Sequence, residues 1–329
     1  MRFEIVTIFP GFFSGFLENG VLRRALAAGL VEIGVHDLRA FTHDRHRSVD
    51  DRPFGGGEGM VLKALPLAEA LESLGVAQKA GGGEAADRPE AVLEENLEEH
   101  PSGAKAHIDF IGLVPGINPR PTARASSSAT DDVGAPRRPT VILLSAQGRR
   151  FTQALAREIA GLERVVLVCG RYEGVDERIN ELYCDMELSI GDYVVSGGEL
   201  AAAVVIDAAM RLLPGVLGNE ASSEFESFGV ADGEITTDAE GVPRSQHGAG
   251  GLLDYPHYTR PAEFAGLKVP EPLMNGDHQA IRRWRREQQL RKTLTNRPDL
   301  LEKAALSKED RALLEKMRKN QGPASERVG

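Results

Sequence analysis

The sequence predicts an α/β protein on a parallel sheet with a smaller helical part at the C-terminus, and three observations carry that reading. Short apolar runs of strand length alternate with stretches of helical periodicity, an order that lays consecutive strands parallel with helices over their faces. Two of these runs end in glycine-hinged polar loops, CGRYEG at 169–174 and SIGDYVVSGGEL at 189–200. Loops leaving the carboxyl ends of parallel strands are where such sheets bind small molecules. The second loop supplies backbone more than side chains: Gly191, Gly197 and Gly198 permit close approach of a ligand, and Ser189, Asp192 and Ser196 add short polar handles.

Taken in order, residues 3–9 read as a first buried strand, 20–28 as a helix and 31–37 as a second strand, apolar at Val31, Ile33 and Val35. Residues 43–60 form a polar, glycine-rich loop, followed by a helical run through Leu74. The segment 76–138 is rich in Gly, Ala, Pro, Ser and acids, with one short helix expected at 91–99, and reads as an insertion. Residues 140–144 are a short strand leading into SAQGR, and 152–159 a helix. The apolar run 165–168, the segment 188–196 and a helix from 199 to 213, stopped by Pro214 and Gly215, complete the alternating unit. A second low-complexity stretch, 221–251, leads to helices near 278–291, 298–305 and 308–319. The expected organisation is a catalytic domain over 1–217, a linker over 218–253 and a helical domain over 254–329.

With 41% hydrophobic and 27% charged residues the chain has the composition of a globular protein, and no run approaches the length of a membrane span. The apolar run at the N-terminus is broken by Glu4, which argues against a signal peptide. Two cysteines make neither a disulfide framework nor a zinc site; Cys169 reads as a small core residue, and a cytoplasmic location is expected. His43 and His46 have the spacing of a metal pair but no third ligand, so a metal site is disfavoured, and the charged loop they sit in reads as a contact with RNA or a donor molecule. The net charge of −10 is unevenly spread: residues 282–303 hold eight Lys/Arg against three Asp/Glu, whereas 224–240 hold six acids and no base. A basic face on an acidic protein is what phosphate binding requires. Arg282, Arg283 and Arg286, beside the single tryptophan Trp284, make one phosphate-binding stripe, with Trp284 itself packed into the small domain's core. Arg45, Arg47 and Arg52 in the polar loop are further candidates for RNA contact.

The blocks FTHDRHRSVDDRPFGGGEGM, LVCGRYEGVDER, SIGDYVVSGGEL, PGVLGNEAS, GLLDYPHYTRP and IRRWRREQ closely resemble the bacterial tRNA (guanine-N1)-methyltransferases that modify the guanosine 3′ of the anticodon. The resemblance covers the chain apart from its two low-complexity stretches. It implies a SPOUT-type α/β domain with a C-terminal trefoil knot, a homodimer, tRNA as partner, no membrane, S-adenosylmethionine as methyl donor and, further, Mg²⁺. Carried onto this sequence, the donor site comprises Leu144, Ser145, Ala146, Gln147, Gly170, Tyr172, Glu173, Ser189, Ile190, Gly191, Asp192, Tyr193, Val194, Val195, Gly197 and Gly198. Ala146 and Ala201 stand where the family usually has proline, which loosens two backbone positions.

Methyl transfer from a sulfonium needs no acid at the departing thioether, so positioning is the main task. Guanine N1 carries a proton, however, and a base is required to remove it, with a cation or donor to stabilise charge growing on O6. The resemblance assigns the base to Asp254 and the assisting cation to Arg211; residue type alone would make them a cap or surface pair and an exposed helical arginine. Two alternatives remain at this stage: another SPOUT methyltransferase, acting on ribose 2′-OH or ribosomal RNA, and an inactive RNA-binding relative. A Rossmann-type methyltransferase is disfavoured, because Phe9-Pro10-Gly11 offers no glycine-rich phosphate loop after the first strand.

Overall fold

The apolar runs form one parallel sheet. Its strands are β1 (Arg2–Thr7), β2 (Glu32–Asp37), β5 (Thr140–Arg150), β6 (Arg164–Cys169) and β7 (Met186–Ser189), in the order β2-β1-β6-β5-β7. The computed structural model describes residues 1–79, 138–218, 226–229 and 249–320. The chain divides into two units, Met1–Val216 and Leu217–Gly329. The short helix expected at 91–99 and most of the expected linker lie outside the described residues.

Helices cover both faces of the sheet, so the paired stretches of its central strands are apolar on both faces except at the buried, hydrogen-bonded Glu4 and Thr7 of β1. On one side Phe3, Ile5, Ile142, Leu144, Val165 and Leu167 pack with α1 (Ser14–Leu17), α2 (Gly20–Ala27), α4 (Gln153–Ala160) and α6 (Gly198–Met210). On the other, Val6, Ile8, Val141, Leu143, Val166 and Val168 pack with α3 (Ala64–Ser73) and α5 (Glu177–Tyr183). Local chemistry sets the helix starts: the Thr152 hydroxyl accepts from the Leu155 N–H, and the Asp176 carboxylate from the Arg178 N–H. Because β7 lies beyond β5 from β6, the chain must cross β5 through α5, which brings the ends of β6, β5 and β7 side by side.

Two expectations need correction. The strand expected at 140–144 continues to Arg150, but its register against β7 jumps: Leu144 and Arg149 both pair with Leu188, so 145–148 bulge out between them. The expected polar loop 43–60 also contains a short strand, β3 (Asp50–Asp51), which pairs antiparallel with β4 (Val61–Leu62) just beyond its end.

The expected insertion starts too early at 76. Val76 is buried in the second core cluster, Gln78 donates to the Tyr183 hydroxyl at 2.9 Å, and the Lys79 N–H donates to the Leu182 carbonyl at 2.9 Å. At the far margin Arg138 pairs with Asp185 at 3.1 Å. A Gly/Ser replacement of 76–138 is therefore expected to lower the melting temperature by removing a buried valine, worth about 1.5–3 kcal/mol. A replacement starting after Lys79 keeps that side chain. Equal melting temperatures for the two deletions, measured by circular dichroism, would show that Val76 adds nothing.

In the second unit the helix His278–Asn296 is capped by Asp277, whose Oδ1 accepts from the N–H groups of Gln279 (2.9 Å) and Ala280 (3.2 Å). Its Leu290 packs with Leu252, Leu301 and Leu314 from the neighbouring segment and the helices Asp299–Lys303 and Lys308–Asn320. Arg286 and Asp310 brace this small core. Two charge-assisted hydrogen bonds of 3.0 and 2.8 Å join them, and Asp310 is 5% exposed. Among the described residues no helix is long and apolar enough to cross a membrane.

Candidate active site

The bulge within β5 and the loops after β6 and β7 leave one edge of the sheet from paired positions, since Leu144 is registered with both Cys169 and Leu188. Backbone contacts weld them together. The Gly198 N–H donates to the Gly170 carbonyl at 2.9 Å, and Arg171 and Gly197 form an isolated antiparallel bridge. A Cβ on Gly198 would lie 2.7 Å from the Cys169 Cα, and one on Gly148 2.3 Å from the Leu188 N, so only glycine fits at either place. Gly148 was not among the positions expected to matter; its signal was its place at the end of SAQG, where the bulge must pass against β7.

The residues expected for the donor site fall on these segments. Leu144 is buried at the end of the paired stretch, and Ser145, whose Oγ accepts from the Gln147 N–H at 3.1 Å, begins the bulge with Ala146 and Gln147 exposed. Ala201 lies inside α6 and packs in the core, so helix pairing holds the backbone that proline would otherwise preset. Ser189 is buried and closes a tight turn, its Oγ donating to the Gly191 carbonyl at 3.0 Å. The Tyr193 ring folds back over Gly191, while Val194 is 86% exposed and Asp192 pairs with Arg150. Ile190 packs on the core, and Val195 is half-buried. Tyr172 is half-exposed with φ +60°, a strained conformation for a non-glycine residue of the kind that gathers at binding sites.

An ion-paired network under the loops was invisible to motif reading. Glu199, 1% exposed, accepts from the Thr7 hydroxyl at 2.7 Å and pairs with Arg171 at 3.0 Å; Arg171 also donates to the Ser196 carbonyl and lies over the Phe9 ring. It ties the first strand to both glycine loops. The Glu173 N–H donates to the Met60 carbonyl at 3.0 Å, and Leu62 bridges Val175, so the end of the polar loop is seated against the β6 loop. Arg45, Arg47 and Arg52 are exposed on that polar loop, which Asp44 organises by accepting from the N–H groups of His46 and Ser48. His43 pairs with Glu69, and among the described residues no group of three or more His, Cys, Asp or Glu side chains could hold a metal.

Both thiols are inert. Burial pushes Cys169 far above its usual range, the Glu199 charge adding and Arg171 opposing, and burial pushes Cys184 up to about 12.

Asp254 lies in the second unit and is fastened from several sides. Its N–H donates to the Ser227 hydroxyl at 2.9 Å, its Oδ1 accepts from the Tyr255 N–H at 2.8 Å, and its Oδ2 faces His257 Nε2 at 3.0 Å. The preceding Leu253 N–H donates to the Thr293 hydroxyl of the arginine-rich helix at 3.0 Å. Arg211 caps the C-terminus of α6 in the first unit and is half-buried. Burial pushes the Tyr255 phenol up, with Arg285 opposing and Asp254 adding.

The arginine stripe divides differently from expectation. Arg282 is half-buried and Arg283 exposed, but the Arg286 guanidinium is bound by Asp310 and Gln289 beside the small core. Trp284 does not belong to that core either. It lines an open pocket with Arg285, which lies 4.8 Å from the Tyr255 ring centroid.

Comparison with known proteins decides the relationship. A family model described as tRNA (Guanine-1)-methyltransferase TrmD matches residues 1–82 and 111–303. The chain belongs to the TrmD family. TrmD relatives match it along nearly their whole length. The tRNA (guanine-N(1)-)-methyltransferase of Koribacter versatilis is 47% identical over 318 residues, covering 97% of this chain and 98% of its own. The proteins of the same name from Geobacter sulfurreducens and Dehalococcoides mccartyi are 41% and 40% identical, covering 95% and 98% of this chain and 96% and 99% of their own. The TrmD match includes both the glycine loops of the sheet edge and the Asp254 segment.

Proposed function

We propose that this chain transfers the methyl group of S-adenosylmethionine to N1 of the guanosine immediately 3′ of the anticodon in tRNA. The observation that carries the reading is that one family match runs unbroken through the three sheet-edge loops and the Asp254 segment. The loop residues fit the donor: backbone at 144–147, Gly170 and 189–195 offers hydrogen-bonding groups, and exposed Tyr172, Tyr193 and Val194 offer apolar surface. When bound, S-adenosylmethionine supplies a methyl group on a sulfonium with a neutral leaving group. Asp254 takes the N1 proton, and Ser227, the Tyr255 N–H and His257 hold it in place as positioning groups. Arg211 stabilises the charge that develops on O6. Mg²⁺ is a requirement the family reading adds. The parallel sheet, with the β6 and β7 loops joined by the Arg171–Gly197 bridge, is consistent with the SPOUT-type knotted domain that this reading carries. Two buried, inert thiols suit a reducing cytoplasm. The test is methyl transfer from labelled donor to tRNA transcripts carrying G or A 3′ of the anticodon. Transfer to G alone is expected; equal transfer to both, or to neither, would defeat the reading.

The enzyme works as a homodimer in this proposal. Leu200 and Val204, one turn apart on the outer face of α6, are 50% and 45% exposed, and Phe9 and Phe12 are also exposed, an apolar surface of the kind dimers bury. If Asp254 and Arg211 serve one site from different chains, a mixed dimer of Asp254→Ala and Arg211→Ala chains holds one doubly damaged and one intact site. Activity should then return to about half of wild type. Verified heterodimers without recovery would place both residues of a site on the same chain.

A further inference from the structure

Segment 255–260 and the helix His278–Asn296 enclose an open pocket of about 500 Å³, within the usual range for a small-molecule site. Four ring side chains, Tyr255, His257, Tyr258 and Trp284, line it together with Arg260 and Arg285. The Tyr258 and Trp284 rings meet edge to face at 6.1 Å, and Tyr255 and His257 are 4.8 Å apart. Among the described residues no carboxylate lines the pocket, although the chain carries 49 Asp/Glu against 39 Lys/Arg. Helical periodicity explains the division of labour: Ile281, Trp284 and Arg285 share the pocket face, while Arg286, Gln289, Leu290 and Thr293 turn to the small core. The pocket is thus a set of aromatic faces with cations among them, the chemistry that takes an unstacked base and its phosphate.

We propose that this pocket binds a nucleobase of the tRNA that flanks the target guanosine, stacked on Trp284 or Tyr258 with Arg260 and Arg285 at its phosphate. The proposal rests on the tRNA reading above and deepens it. Asp254 touches the pocket's lining residues Tyr255, at 2.8 Å, and His257, at 3.0 Å, but does not line it itself. The base whose N1 meets the Asp254 carboxylate therefore lies beside the pocket, and the pocket is left for its neighbour along the strand.

Trp284 is the chain's single tryptophan, so its fluorescence reports on this pocket alone. An anticodon stem-loop RNA added to the full-length protein should quench it with the same saturation as binding measured by filter retention. Removing the base at one flanking nucleotide, with the backbone kept, should abolish the quench and weaken binding by roughly 5- to 150-fold, the usual worth of one stacked base. Trp284→Ala should lose a similar factor with intact RNA, and Trp284→Phe should keep most of the affinity. A quench insensitive to either flanking base, a quench lost only when the target base is removed, or wild-type affinity in Trp284→Ala would each overturn the proposal. The abasic RNAs need no variant, so a folding defect in Trp284→Ala cannot decide the result. Methyl transfer by the wild-type protein separates the two readings. Transfer without a flank-dependent quench overturns the pocket alone; a flank-dependent quench without transfer supports the pocket and overturns the enzymatic assignment.

Discussion

Asp254→Asn is expected to lower the single-turnover rate of methyl transfer by roughly 10²–10⁴, the usual worth of a positioned general base, with donor and tRNA dissociation constants close to wild type. The geometry makes this a clean substitution. An amide oxygen in place of Oδ1 still accepts from the Tyr255 N–H, and an amide nitrogen in place of Oδ2 still faces His257 Nε2, so the side chain keeps its two neighbours and loses its basicity. The main-chain bond to Ser227 is untouched. Rapid-quench measurement with enzyme in excess over tRNA reads the chemical step directly. A rate within a few-fold of wild type would show that the N1 proton leaves to another group and that Asp254 only positions the substrate.

Arg286→Ala is expected to destabilise the C-terminal unit by about 3–5 kcal/mol, the cost of leaving a buried carboxylate without its partner. Arg282→Ala, four residues earlier on the same helix, is expected to leave the fold intact and to flatten the salt dependence of tRNA binding as fewer counterions are released. The two changes look alike in sequence and differ because Asp310 is buried and Arg282 is not paired to it. Burial alone would raise Asp310, but the hydrogen bonds and charge of Arg286, with the Ser307 N–H and hydroxyl, outweigh it and hold the carboxyl below its ordinary value. A depressed folded-state value means that the pair's stabilisation is fully present above the ordinary aspartate range and is lost as pH falls through the lowered one. The wild-type unit should therefore weaken below about pH 4. In Arg286→Ala that loss should disappear, because a neutral buried Asp310 is no longer penalised. Thermal unfolding across pH 3–7 checks both statements; an Arg286→Ala protein as stable as wild type at neutral pH would remove the brace from the account.

Much of the molecule was determined by the sequence alone. Strand-length apolar runs between helical periodicities specified a parallel sheet, since only strands buried on both faces are apolar throughout. The glycine loops were legible because backbone crowding excludes every other residue, as Gly198 against Cys169 shows. The Asp254 segment and the glycine loops were legible as long motifs, each contiguous in the chain. What the tertiary structure decided was pairing across distance. That Glu199 belongs with Thr7 and Arg171, that Val76 is core, and that 145–148 bulge beside β7 all depend on partners distant in the chain, up to 192 residues away, which no local period encodes. The arginine helix shows the reason most directly. Arg282, Arg283, Arg285 and Arg286 are chemically equivalent in the sequence, and their different fates were set by which face of one helix met a small core and which met an open pocket. Periodicity says which residues share a face; only the packed neighbours say what that face meets.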